Sequence, residues 1–554
     1  MRVRRDLLRL LAEMPFLDRL EAAALSGWSR GAVYAACRGL EEEGLTASLP
    51  HASELTAPTQ RYHLTGAGLR RLADDRGVGL RELLRSSPLT AHWRRLLLER
   101  LDGVAVIYRL AAAIAEESWP LRFRWYRAMP MDAALALPDG RTLFIVRQGQ
   151  TADRTAFASR LWRLREGARP GACLLLAPDP VRLRHTARLM ARAPAPAFLA
   201  PERDIAASGP GARIWRLAAG SPPLSLTEVL SHIAPGGAWP DEEPPARAAV
   251  PRELPAGAPP DPPDWLLPAL LKPAEKRALG LLGAWPWIAP AQLGALLGSG
   301  RSSLAGTLGR LRGRGLVLDG AVRGRRLLAL SDRGVALLAR RDRASAEAAR
   351  RRWSAELLDP QSSLTWRNVA GSRSRQLLRN LDHSASVHAF VATLAAQART
   401  TGTELVQLDP PRRASRYFPH DGRLHSVQPD AFSTLRRDGR AFHCFLEWER
   451  RALHPATMAA RLAPYLRYYV TQRPTDDHGL RPTLLVVFAD ELAAHHFLRV
   501  AREQTARAGV DLPLLVSSAS ALRDEGPLGE AWRAPGAPLR TARLLADGGG
   551  NPDG

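Results

Sequence analysis

The chain has 554 residues, too many for one hydrophobic core, and its length alone suggests roughly three or four domains. A hydrophobic fraction of 45% and a mean hydropathy of −0.20 fit a globular protein, and no stretch is long and apolar enough to span a bilayer. The three cysteines (Cys37, Cys173, Cys444) are scattered, which excludes a disulfide scaffold or a Cys-rich zinc site and fits a reducing cytoplasm. The formal net charge of +23 points to a polyanionic partner, double-stranded DNA before a membrane surface. Lys272 and Lys276 are the only lysines. A GC-rich genome explains Arg over Lys, but not the excess of basic over acidic residues.

In chain order, residues 1–85 read as three helices and a hairpin. The opening MRVRRDLLRLLAEM is interrupted by Asp6, Arg9 and Glu13, so it reads as an amphipathic helix and not as a signal peptide. LDRLEAAALSG is a second helix ended by Gly27. Ser29 caps a third, RGAVYAACRGLEEEG, and short strands follow near 45–49 and 60–64. This is the layout of a winged helix-turn-helix. Residues 86–235 mix helical stretches with strand-like runs such as ACLLLA, and read as an α/β domain. Residues 236–268 are Pro-rich and read as a semi-rigid linker.

The order then repeats. Residues 269–345 predict a second winged helix, with a hairpin turn at Asp319-Gly320. A basic helical connector covers 346–379, a second α/β domain 380–525, and a C-terminal tail 526–554, expected to fray from about Ala534. The fold class is therefore α/β (α+β) and multidomain, built from a duplicated module.

The sharpest chemical pattern lies in the second copy. Asp430 follows Pro429 at a strand start. After a turn at Asp438-Gly439, a second strand ends in Glu447-Trp448-Glu449. Hard carboxylate oxygens on adjacent strands suit Mg²⁺ or Mn²⁺ bridging a phosphate and an attacking water. The spacing resembles that of PD-(D/E)XK nucleases. Glu449 stands where those enzymes carry a lysine, and Arg461 on the next helix could supply positive charge but not act as a base. The candidate catalytic set is Asp430, Glu447, Glu449 and Arg461, with Asp430 and Glu447 as metal ligands. His383 opens the domain's first helix and could point into the site, whereas Tyr465 and Tyr468 read as core.

Side by side, the two copies set Asp132 against Asp430, Arg147 against Glu447, Gly149 against Glu449, and Arg160 against Arg461. The first copy is then expected to bind no such metal. For DNA contact the sequence offers Arg301, Ser302, Arg310, Arg312 and Arg314 on the second recognition helix, and Arg323, Arg325 and Arg326 in its wing. Arg30 and Arg38 are weaker candidates in the first, whose helix ends in Glu41, Glu42 and Glu43. No P-loop or GxGxxG unit appears, so no nucleotide cofactor is expected.

The run QPDA (Gln428–Ala431), LEWER (Leu446–Arg450) and Ala460–Tyr465, behind a winged helix, resembles the replication-relaxation family of bacterial plasmids and integrative elements. Asp430, Glu447 and Tyr465 match that family's pattern, while Glu449 replaces an Asp and Arg461 a Lys. The resemblance covers about residues 270–525. It implies a winged helix followed by a restriction-endonuclease-like domain that nicks or holds duplex DNA during replication or mobilisation. The competing expectation is a non-catalytic regulator or initiator whose α/β domains are dimerisation scaffolds, giving a homodimer.

Overall fold

A computed structural model describes residues 2–150, 154–167, 169–254, 261–449 and 454–545. The chain is mixed α/β and divides into two compact units, one of residues 1–277 with 333–349, the other of 278–332 with 350–554. Among the described residues no helix is long and apolar enough to cross a membrane.

The first unit opens with helices Arg2–Glu13, Arg19–Ser26 and Arg30–Glu42, then strands Thr46–His51 and Thr59–Leu64 as an antiparallel hairpin. Local sequence fixes these ends. Asp18 and Glu21 form a reciprocal capping box, Gly27 ends the second helix at φ 69°, and Ser29 accepts the amide of Ala32. The first helix buries Leu7, Leu8 and Leu11 against the others.

The second unit repeats the pattern with helices Pro290–Leu297 and Arg301–Gly313 and strands Val317–Val322 and Arg325–Leu330. One detail marks the kinship. Phe16 (φ 72°) and Trp287 (φ 64°) are buried aromatic residues in the left-handed region, each after a proline and just before the second helix of its module. Bulky side chains seldom adopt that backbone, so its recurrence at matching places argues for a duplicated motif.

The expected turn at Asp319-Gly320 is corrected. The two-residue turn is Arg323-Gly324, with φ values of 50° and 75°. A turn at 319–320 would leave Leu327 to Leu330 without partners. The observed one pairs six residues on each side and buries Val317, Val322, Leu327 and Leu328. Asp438-Gly439, by contrast, is the turn between Ala431–Arg437 and Arg440–Glu449.

Each unit then carries a mixed sheet of one design. In the first the order is Arg122–Trp125, Ala133–Ala136, Thr142–Arg147, Ala172–Ala177, Ala197–Pro201 and Arg216–Leu217. The first three strands are antiparallel, the next two join in parallel, and the last is antiparallel. The second unit follows the same sequence of senses through Glu404–Asp409, Ala431–Arg437, Arg440–Glu449, Thr483–Phe488, Leu514–Ser518 and Trp532–Ala534, and adds Ala537–Ala542.

Two stretches expected to lack fixed structure have it. The tail supplies the last two strands, and Trp532 is fully buried with its indole N–H donating to Pro527 O at 2.8 Å. Residues 236–254 of the Pro-rich segment lie along the first unit. Tyr126 donates its hydroxyl to Pro240 O at 2.7 Å, and the Glu242 carboxylate accepts the amides of Arg127, Ala128 and Met129. Proline makes such a strand-like path stiff, and polar side chains at its edges decide where it docks. The connector contains helices Ala346–Trp353 and Ser372–Arg379. Strands Arg416–His420 and Arg423–Val427 form a further two-stranded hairpin that no clear sequence pattern marks.

Candidate functional site

The register of two strands creates the site. Ala431 pairs with Leu446, so Asp430 sits just outside its strand beside the last turn of pleat on the next one. The Asp430 amide donates to Leu446 O at 2.8 Å, and the Trp448 amide donates to Asp430 Oδ2 at 2.8 Å. His383, at the start of helix Leu381–Thr400, brings Nε2 to 2.9 Å from Asp430 Oδ1. Strand alternation turns Glu447 and Glu449 to one face and Trp448 to the other, where it meets Phe390 edge-on.

Helix Pro455–Tyr469 covers the carboxylate face. Tyr465, buried, donates its hydroxyl to Glu447 Oε1. Arg461, one turn earlier, lies 3.3 Å from Glu449 while its side chain stays 66% exposed. Burial and the neighbouring Asp430 carboxylate push Glu447 up to about 8, and burial also raises Glu449 against the pull of Arg461. Burial and Glu447 together hold the Tyr465 phenol well above its ordinary value.

Asp430 and Glu447 thus come together as the spacing predicts, with Glu449 beside them and Arg461 on its rim. Among the described residues no group of three or more His, Cys, Asp or Glu side chains could hold a metal. Two carboxylates nonetheless fit Mg²⁺ or Mn²⁺, because Mg²⁺ commonly binds through one or two carboxylates and keeps several waters. Arg450, the end of the quoted motif, lies outside the described residues.

The first unit corrects the alignment of the copies. Asp132 donates its amide to Ile145 O at 2.9 Å, and its Oδ2 accepts the Arg147 amide at 2.7 Å. Ile145 therefore matches Leu446. It follows that Val146 matches Glu447, Arg147 matches Trp448 and Gln148 matches Glu449. The expected matches of Arg147 to Glu447 and Gly149 to Glu449 are one residue out, which in a strand means the opposite face. The absence of both glutamates from the first copy stands, but for a different reason. Val146 lies in the apolar core and Gln148 is buried.

Arg147 instead crosses to the far face. It pairs with Glu202 and lies 3.8 Å from Asp342, while a Cβ on Gly103 would sit 3.1 Å from its Cδ. Gly103 occupies the place of His383, so the arginine fills space that the histidine uses in the second unit. A Cβ at Gly149 would come 2.4 Å from the Asp342 side chain, so close packing explains that glycine. Asp132 is bound by Arg160 at 3.0 Å and by Arg343 at 2.6 Å.

The candidate DNA contacts fall into groups. Arg301, Ser302 and Arg310 are exposed on helix Arg301–Gly313, with Arg312 and Arg314 half-buried at its end. Asp319 binds Arg326 and lies 3.4 Å from Arg312; Asp382 lies 3.4 Å from both Arg323 and Arg325. The shifted turn decides these partners, so the sequence pattern does not show them. In the first unit Arg30, Tyr34 and Arg38 share one exposed face at successive four-residue steps.

Comparison with family models, with curated proteins and with solved structures gave no match.

Proposed function

We propose that the protein binds double-stranded DNA, with its three-helix-and-hairpin modules acting as winged helices and the second sheet acting as a restriction-endonuclease-like domain. In this reading it is a cytoplasmic replication-relaxation protein of a mobile element. The observation that carries it is the meeting of Asp430 and Glu447 at the carboxyl end of a strand that runs parallel to its neighbour. There a Mg²⁺ or Mn²⁺ ion would be held against a DNA phosphate and would supply charge neutralisation and an activated water. Tyr465 fixes the Glu447 carboxyl, His383 and the Trp448 amide fix Asp430, and Arg461 offers charge at the rim. The charge of +23 and the exposed face of helix Arg301–Gly313 support duplex binding.

The test is supercoiled DNA incubated with Mg²⁺ or Mn²⁺. Relaxed circles from the wild type, absent with Asp430→Asn and Glu447→Gln, support nicking. Intact supercoils from a wild type that still shifts DNA on a gel would leave the holding role and reject the nuclease. One observation favours that second, non-catalytic reading: Arg461 is engaged by Glu449, where nucleases of this pattern place a lysine.

A further inference from the structure

The first unit has a cleft, partly open to solvent, on the far side of the strand that bears Val146. Arg100, Arg147, Arg341 and Arg343 line it, together with Asp132 and Asp342. Its remaining wall is largely apolar, with Leu97 and Trp125 among the lining side chains. Including the adjoining Arg160 and Glu202, five guanidiniums face three carboxylates. Asp132 is shared by Arg160 and Arg343, Glu202 holds Arg147, and Asp342 sits between Arg341 and Arg147. Nearby Glu99 is held by Arg95 at 2.9 Å and lies 3.7 Å from Arg340.

Arg100 is left over. It stands at the break between helices Ala91–Glu99 and Leu101–Glu117. Its Nε is buried without a hydrogen-bond partner. Buried charges are paired as a rule, and an excess of guanidiniums around a partly apolar cleft is unfavourable until an anion enters. Burial and Arg343 accordingly pull the Arg100 guanidinium down to about 10, low for arginine yet still charged at neutral pH.

We propose that this cleft is a binding site for a phosphate dianion, free or as a phosphate monoester, with Arg100 as its principal contact. The two unmatched positive charges favour a dianion over a carboxylate, and guanidinium forks suit tetrahedral phosphate oxygens. The two copies of one fold thus carry sites of opposite sign, acidic in the second unit and arginine-lined in the first. The proposal is independent of whether the Asp430 site cuts DNA.

The experiment is calorimetric titration of the full chain with inorganic phosphate, against chloride at equal ionic strength, for wild type, Arg100→Gln and Arg100→Lys. Wild type should bind saturably, and Arg100→Gln should weaken binding by about tenfold or more. Arg100→Lys should fall between them. Without phosphate, Arg100→Gln should melt no lower than wild type, because it removes an uncompensated cation. The same proteins are then titrated with 5′-phosphorylated and 5′-hydroxyl oligonucleotides. An Arg100-dependent preference for the phosphorylated end assigns the group to DNA ends; free-phosphate binding without that preference assigns it to a small molecule, and either supports the site. No saturable phosphate binding, or binding unchanged in Arg100→Gln, overturns it.

Discussion

Trp448 donates its main-chain N–H to the Asp430 carboxylate at 2.8 Å, and in the other unit Arg147 does the same to Asp132 at 2.7 Å. This bond sets which side chains flank the aspartate. In the second unit they are Glu447 and Glu449; in the first they are Val146 and Gln148.

The pH response of the second unit follows from Glu447. Its carboxyl is raised in the folded protein, so its contribution to stability is full below the unfolded carboxyl pKa and is lost as pH rises toward about 8. Wild type should therefore lose melting temperature between about pH 5 and 8 relative to Glu447→Gln. Added Mg²⁺ should recover part of that loss. Parallel melting curves for the two proteins across this range would contradict it.

Asp132 has the opposite sign. Arg160 and Arg343 overcome its burial and hold its carboxyl well below the ordinary value, so its contribution is present above the unfolded pKa and lost in acid. Asp132→Asn would leave two guanidiniums in a largely buried place without their anion, at a cost of about 3 kcal/mol or more. The thermal transition of the first unit should fall accordingly at pH 7. An unchanged transition would show that the network is not a structural joint.

Asp382 lies beside the hairpin that the proposed function reads as a wing. Arg323 and Arg325 each lie 3.4 Å from it, in exposed pairs of low individual strength. Asp382→Asn should release both arginines to phosphate, tighten DNA binding and steepen the salt slope by up to about two. Fluorescence anisotropy across a salt series measures this. A slope equal to wild type would mean that the wing does not touch DNA.

The C-terminal strands belong to the second sheet. Trp532→Ala removes a fully buried side chain that packs edge-on against Phe390, and should cost about 3–5 kcal/mol. Truncation after residue 525 should be worse. Wild-type melting in the truncated chain would contradict this placement.

Much of this was legible in the sequence. Caps at Asp18 and Ser29, the stop at Gly27 and the turn at Asp438-Gly439 act within a few residues, so local chemistry reveals them. Asp430 and Glu447 could be paired because a hairpin turn lies between them. Three things were hidden. The one-residue offset between Arg147 and Glu447 leaves no mark on a strand pattern, because it becomes visible only through the amide that reaches the aspartate. Both Asp319-Gly320 and Arg323-Gly324 satisfy turn chemistry, and the pairing of Leu327 to Leu330 decides between them. Tyr465 fits a core position equally well, and only Glu447 beneath it gives its hydroxyl a task.

Asp430 and Glu447 are proposed to form one cation site, with no counterpart in the first unit. Calorimetric titration of the full chain with Mn²⁺ decides whether they do. One Mn²⁺ per chain is expected, abolished by Asp430→Asn, strongly weakened by Glu447→Gln and untouched by Asp132→Asn. Two equivalent sites, no binding, or binding indifferent to Asp430→Asn would contradict it.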